Sequence, residues 1–301
     1  MRKIDVPLTV EGKGNKNKKS TRGKMFGYQV LGFGSGGAGG SPVMADYLVV
    51  AGGGGGGAYD GNNGAGGGGA GGMRFSFCCG SSDQVELAPG CYTITVGGGG
   101  AKSPASNTSS SRGGPSVAFA CESFSVTSTG GGGGRPGQSC GGSGGGGISV
   151  YSQAGSSGNT PPTSPPQGNN GGNGKDAGSA PNNRGGGGGG HGGAGGNANN
   201  GNDGAGGCGT ANSITGSSVS YAFGGSGGGG PCGGEGTDEV GTGGGGGRQM
   251  ASANNGGSGV IVVRIPCGPD DVAVTGSGNQ VSTVCSTVKV ARFIVSGTLT
   301  V

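Results

Sequence analysis

The chain has 301 residues, 89 of them glycine and 14 proline, with no tryptophan, 29% apolar and 11% charged residues and a net charge of +4. That composition excludes an ordinary globular domain of this length, because the apolar side chains available to form a core are too few and too clumped. It also excludes a collagen triple helix, since glycine does not recur at every third position and proline is scarce, and the low charge sets the chain apart from solvated, self-repelling disordered sequences.

Residues 1 to 44 form a basic arm and attachment segment. Arg2, Lys3, Lys13, Lys16, Lys18, Lys19, Arg22 and Lys24 stand against Asp5 and Glu11, a local balance of +6, whereas the rest of the chain has ten basic and twelve acidic residues. Such an arm either docks on an acidic partner or trails as a solvated tail. No aromatic residue interleaves with its first 24 positions to stack on bases, so nucleic acid is not the expected partner. The basic start is not followed by an apolar stretch of the secretory type, and no run approaches the roughly 20 apolar residues of a membrane span. The expectation is a chain made without a signal peptide and not inserted in a membrane.

Residues 45 to 267 are the glycine-rich body. Short runs of β-branched and aromatic residues interrupt it at Tyr47–Ala51, Cys91–Val96, Val117–Phe119, Ile148–Tyr151, Val219–Phe223 and Val260–Ile265. Too short for helices, they read as strands. The glycine runs 52–57, 130–134, 185–190 and 243–247 forbid α-helix, at about 1 kcal/mol per interior glycine. Ordered, they suit the extended three-residue-per-turn helix of polyglycine II, whose amide groups all point outward. Ordering a residue costs roughly 1–2 kcal/mol and a net hydrogen bond returns about 1 kcal/mol, so one such helix does not hold alone. A bundle does, provided side chains are absent where backbones meet. Gly52, Gly54, Gly132, Gly187 and Gly245 are therefore the expected structural positions. The resulting fold class is all-β and irregular: a polyglycine II bundle pinned by short strands, with essentially no α-helix.

Within the body, Asn159–Pro181 is rich in Pro, Ser, Asn and Thr and reads as an exposed loop. Residues 268 to 301 alternate Val, Ile and Phe with Thr and Ser, as a small C-terminal β module would.

Catalytic and metal motifs carry little. Gly141–Gly145 and Gly224–Gly228 match G-x-S-x-G, but any serine in a glycine run does, without the strand-turn-helix that exposes a nucleophile. His191, the only histidine, follows six glycines. GGNGKDAG at 171–178 resembles part of a calcium-binding repeat with Asp176 as ligand, yet one imperfect copy cannot build a β-roll. Nine cysteines without a C-x-x-C pair make a poor zinc pattern; they either staple the body as disulfides or serve as small buried apolar residues. Asn107-Thr108-Ser109 is a glycosylation acceptor only in a secreted chain. No enzyme activity, metal, cofactor or small-molecule substrate is expected.

DYLVVAGGGGGG at 46–57 resembles the opening of the glycine-rich domains of bacteriophage tail fibres and tail-tip adhesins. GGSGVIVVRIP at 256–266 is similar to their closing strand, CYTITVGGGG at 91–100 to an internal one, and GYQVLGFGSGG at 27–37 to their entry. The resemblance implies a virion protein on the tail or particle surface, assembled in the host cytoplasm, whose loops recognise a host surface receptor. Asn107, Ser109, Asn170, Asn173, Asn197, Asn199 and Asp203 are then the candidate recognition residues. Two other readings share the composition: a self-assembling filament, sheath or coat-decoration subunit whose partners are copies of itself, and the extracellular glycine-rich ligand-binding region of the anaplastic lymphoma kinase receptors.

Overall fold

The computed structural model describes residues 41–59, 63–77, 83–104, 108–121, 124–134, 140–178, 182–228, 236–244, 253–266 and 269–301. The chain divides into two units, Met1–Ser41 and Pro42–Val301. Residues 1–40 of the basic arm, Asn107 and Gly245 lie outside the described residues.

Among the described residues thirteen short strands form: β1 Val43–Val50, β2 Met73–Phe75, β3 Val85–Leu87, β4 Cys91–Thr95, β5 Ser116–Cys121, β6 Phe124–Ser128, β7 Thr210–Asn212, β8 Val219–Tyr221, β9 Val260–Ile265, β10 Ala273–Val274, β11 Gln280–Val284, β12 Val288–Phe293 and β13 Gly297–Thr300. They pair antiparallel. One sheet runs β11-β12-β9-β1-β2, with β3 also on β1; a second runs β10-β13-β4-β5-β6; β7 and β8 form a two-stranded ribbon. The structure is all-β, and the one helical turn among the described residues is a 3-10 turn at Val150–Ser152.

Side-chain alternation explains the arrangement. Tyr47 and Val49 of β1, Ile261 and Val263 of β9 and Phe293 of β12 face Ile94, Phe119 and Leu299 of the second sheet. Leu48, Val50, Val260 and Val262 face the other way, onto Met73, Ile214 and Tyr221. β1 and β9 are therefore buried on both faces, which is why they read as continuous apolar runs rather than alternating ones. Asp46, buried in β1, is the exception: its oxygens accept from Ser76 Oγ at 3.1 Å and Gln84 Nε2 at 2.9 Å, and its register partner on β9 is Arg264.

The strands 273 to 300 add to the sheets of the body. β12 pairs with β9 and β13 with β4, so residues beyond 268 complete both sheets. The run Ile148–Tyr151, expected as a strand, is not one. Ile148 is buried and its carbonyl accepts from Gln153 N–H at 3.1 Å, and Tyr151 turns the chain back with φ of +57°. A run between two glycine helices has no neighbouring strand to pair with.

The glycine segments form the lattice that their composition demands. Along residues 51–57 the N–H groups of 51, 54 and 57 donate to the carbonyls of 72, 69 and 66; those of 52 and 55 to 114 and 111; those of 53 and 56 to 257 and 254. Donors therefore rotate among three neighbours with a period of three residues, the geometry of polyglycine II. The carbonyls of the same segment accept from 131 and 134, from 100 and 103, and from 244. This one helix is thus surrounded by six others. Residues 66–72 and 185–191 are enclosed in the same way, and Gly188, for instance, donates to Gly225 and accepts from Gly207. Each central glycine donates one backbone hydrogen bond and accepts another, so the interior of the lattice leaves neither amide group unpaired, as an isolated glycine helix would.

Candidate functional site

The register of the lattice fixes what its two ends display. Segments beginning at 51, 97, 130 and 222 leave β1, β4, β6 and β8, while those ending at 72, 114, 209 and 259 enter β2, β5, β7 and β9. The strands therefore gather at one end, and turns such as 148–152 and 199–203 join helices at the other.

The candidate recognition residues fall along this lattice and at its turn end. Ser109, Asn199 and Asp203 belong to the turn end, whereas Asn170, Asn173 and Asn197 lie along outer glycine helices. Five of these side chains are engaged within the chain. Asn170 Oδ1 accepts from Gly158 N–H at 2.9 Å, Asn173 Oδ1 from Gly155 N–H at 3.0 Å, and Asn197 Oδ1 from Asn173 N–H at 2.8 Å. Asn199 Oδ1 accepts from Gly201 and Asn202 N–H and closes its own turn, and Asp203 pairs with Arg184 at 3.5 Å. An outer helix lacks a neighbour on one side, and a side-chain amide oxygen replaces the missing carbonyl. Gln167, buried, does the same for Thr129 N–H at 2.8 Å. Asn173→Ala is expected to cost about 1 kcal/mol, the value of one such hydrogen bond, read as a lowered melting midpoint.

Gly52, Gly54, Gly132 and Gly187 sit in the interior of this lattice. A Cβ on Gly52 would overlap the Gly98 carbonyl oxygen, on Gly54 that of Gly132, and on Gly187 that of Ala205. Gly141–Gly145 and Gly224–Gly228 also run as glycine helices, and the Ser143 hydroxyl is buried in one of them without a hydrogen-bond partner among the described residues. Asp176 accepts from Gly178 N–H at 2.9 Å, and among the described residues no group of His, Cys, Asp and Glu side chains could hold a metal ion. Cys91, Cys208 and Cys285 are exposed and Cys140 half-buried, all as free thiols, so these four do not serve as buried apolar residues.

The strand end carries a feature that no spacing revealed. A cleft of about 420 Å³ opens along β2, walled by Met73, Arg74 and Phe75 of that strand, by Tyr47 of β1, by Asp83, by Ser164, Pro165 and Pro166 of the proline loop, and by His191. Of the stretch from 159 expected as an exposed loop, residues 160–166 are exposed or half-buried, whereas Gln167, Gly168, Gly172 and Gly174 are buried. Residues 169–174 join the glycine lattice because their amides find backbone partners there. Asn159 Oδ1 organises the exposed part by accepting from the N–H groups of Thr163 and Gln167. Burial raises the Tyr47 phenol above its usual range, with Arg74 lowering and Asp83 raising it further, so the group stays a neutral donor. His191 Nδ1 lies 2.7 Å from Thr210 Oγ1 and its ring meets the edge of Phe75 at 5.9 Å.

Burial lowers the His191 pKa, opposed by a hydrogen bond at the Pro166 backbone. The unfolded chain then binds more protons than the folded one below about pH 6.5, so stability is full above that value and is lost as pH falls through the lowered one. Thermal melts at pH 8 and pH 5 check this: the native protein should lose more on acidification than His191→Gln does.

Glycine helices hydrogen-bonded to their neighbours on all sides, with antiparallel sheets gathered at one end, define an all-β glycine-lattice fold. The chain belongs to the glycine-rich domain family, whose model matches residues 41–266. No curated relative and no solved structure matches it.

Proposed function

We propose that this chain is a structural protein of a virus particle, of the bacteriophage tail-fibre or surface-adhesin type, which holds surface features rigidly for attachment to a host cell. The observation that supports this reading is the enclosure of helices 51–57, 66–72 and 185–191 by hydrogen-bonded neighbours. Such a body is stiff without a large apolar core, and it carries turns at one end and a cleft at the other. The order DYLVVAGGGGGG, CYTITVGGGG, GGSGVIVVRIP agrees with this assignment, because the first and last become the paired strands β1 and β9 and the helices continuous with them.

A second reading has its own support. β11 and β10 end their sheets, and an open strand edge is what strand addition between copies requires. Labelling of purified particles with antibodies to this chain, together with negative-stain imaging of the full chain, separates the two. A few labels at a tail or surface tip, with discrete particles of the free protein, support attachment. Absence of label overturns the virion assignment, and long homopolymers favour the filament.

A further inference from the structure

We propose that the cleft along β2 is a binding subsite for a neutral pyranose ring of a glycan. The inference deepens the attachment reading and rests on it for its biological purpose.

The chemistry begins with Tyr47. It is 9% exposed, it lines the cleft, and its hydroxyl has no hydrogen-bond partner among the described residues. A phenol so placed keeps both its donor and its acceptor capacity for a hydroxyl that enters the cleft. Two groups of opposite charge flank it. The β1–β3 register pairs Ala45 with Val85, and carried two residues further it sets Asp83 beside Tyr47; Arg74, opposite Val49, lies on the same face. One cation and one anion balance, so the site does not select a charged ligand. Together with Ser164 they offer donors and acceptors at once, which suits a ring bearing several hydroxyls, each able to do both.

The remaining walls are stiff and apolar. Phe75, reached around the edge of β2, and Pro165 and Pro166 of the loop add apolar surface of the kind that meets the C–H face of a sugar. Arg74 Nη1 is 3.4 Å from the Thr127 carbonyl of the second sheet, and the Gln167 side chain ties the proline loop through the Pro161 carbonyl at 3.0 Å. The walls are thus set before any ligand arrives, which lowers the cost of binding. At about 420 Å³ the volume lies toward the small end of the roughly 300–1,000 Å³ typical of small-molecule sites.

Saturation-transfer NMR on the full chain tests this, with methyl glucoside, methyl galactoside and N-acetylglucosamine as probes and free phenylalanine as a zwitterionic control. Transfer to the ring protons of at least one sugar is expected. Tyr47→Phe, which keeps the ring in the core and removes only the hydroxyl, should weaken that sugar about 5-fold, and Arg74→Gln about 10-fold or more. Silence from all three sugars, equal affinity in Tyr47→Phe, or preference for phenylalanine overturns the proposal. Thermal melts of both variants confirm that the fold is intact. Because these measurements use only purified protein and sugars, sugar binding without particle labelling sinks the attachment reading alone, and the converse sinks the subsite alone.

Discussion

Alanine at Gly54 is expected to destabilise the protein by about 3 kcal/mol or more, whereas alanine at Gly98 should leave it unchanged or more stable by roughly 0.4–1 kcal/mol. Both residues belong to the glycine lattice and both lack a side chain, so composition treats them alike. They differ in what a methyl group would meet. At Gly54 it would overlap the carbonyl of Gly132, a residue held in place by the bond its N–H makes to Ser143. At Gly98 nothing lies within 4 Å, and φ is not in the left-handed region. Alanine there only reduces the freedom of the unfolded chain. In a unit of this size about 1 kcal/mol moves the melting midpoint by roughly 2–4 °C, so the two variants should separate in a thermal scan by about 6 °C or more. Equal midpoints would mean that the helices are not in backbone contact.

Phe119→Ala is expected to cost about 3–5 kcal/mol, the range for removing a large aromatic from a core. Phe119 is fully buried between the sheets, meets the rings of Tyr47 and Tyr92 edge-on at 6.4 and 6.1 Å, and stacks on Phe124 at 6.0 Å. It is the hub of the aromatic contacts in a chain short of aromatic residues. Its backbone is unusual, with φ of +59° at the point where the β5–β6 register shifts. A side chain in that conformation is strained by about 1–3 kcal/mol. Burial of the ring holds it there, so glycine at 119 should be no worse than alanine, against the usual order in strands. Equilibrium urea unfolding of the two variants reads both effects.

Some of this was legible in the residues. Tyr47–Ala51 and Val260–Ile265 announce strands because both faces of β1 and β9 are covered, and the glycine runs announce helices without side chains. β2, β3 and β7 were not legible. Each has three residues, and MRF, VEL and TAN carry no period long enough to detect. The candidate asparagines follow from the resemblance to tail-fibre domains, but whether such an amide faces a partner or replaces a missing carbonyl depends on which helix lies beside it. The cleft left no signal, because Tyr47, Arg74, Asp83, Pro165 and His191 come from separated stretches that meet only around the edge of β2.

By itself the sequence determined that the chain would be extended, free of α-helix and built largely on backbone contacts, because its glycine tracts have no side chains to bury. Only the tertiary structure decided which helices are neighbours and which glycines admit no methyl group. The physical reason is that every peptide unit offers the same donor and acceptor. Identical amides carry no address, so the pairing is imposed by the short apolar strands and by the few side-chain amides that close the edges.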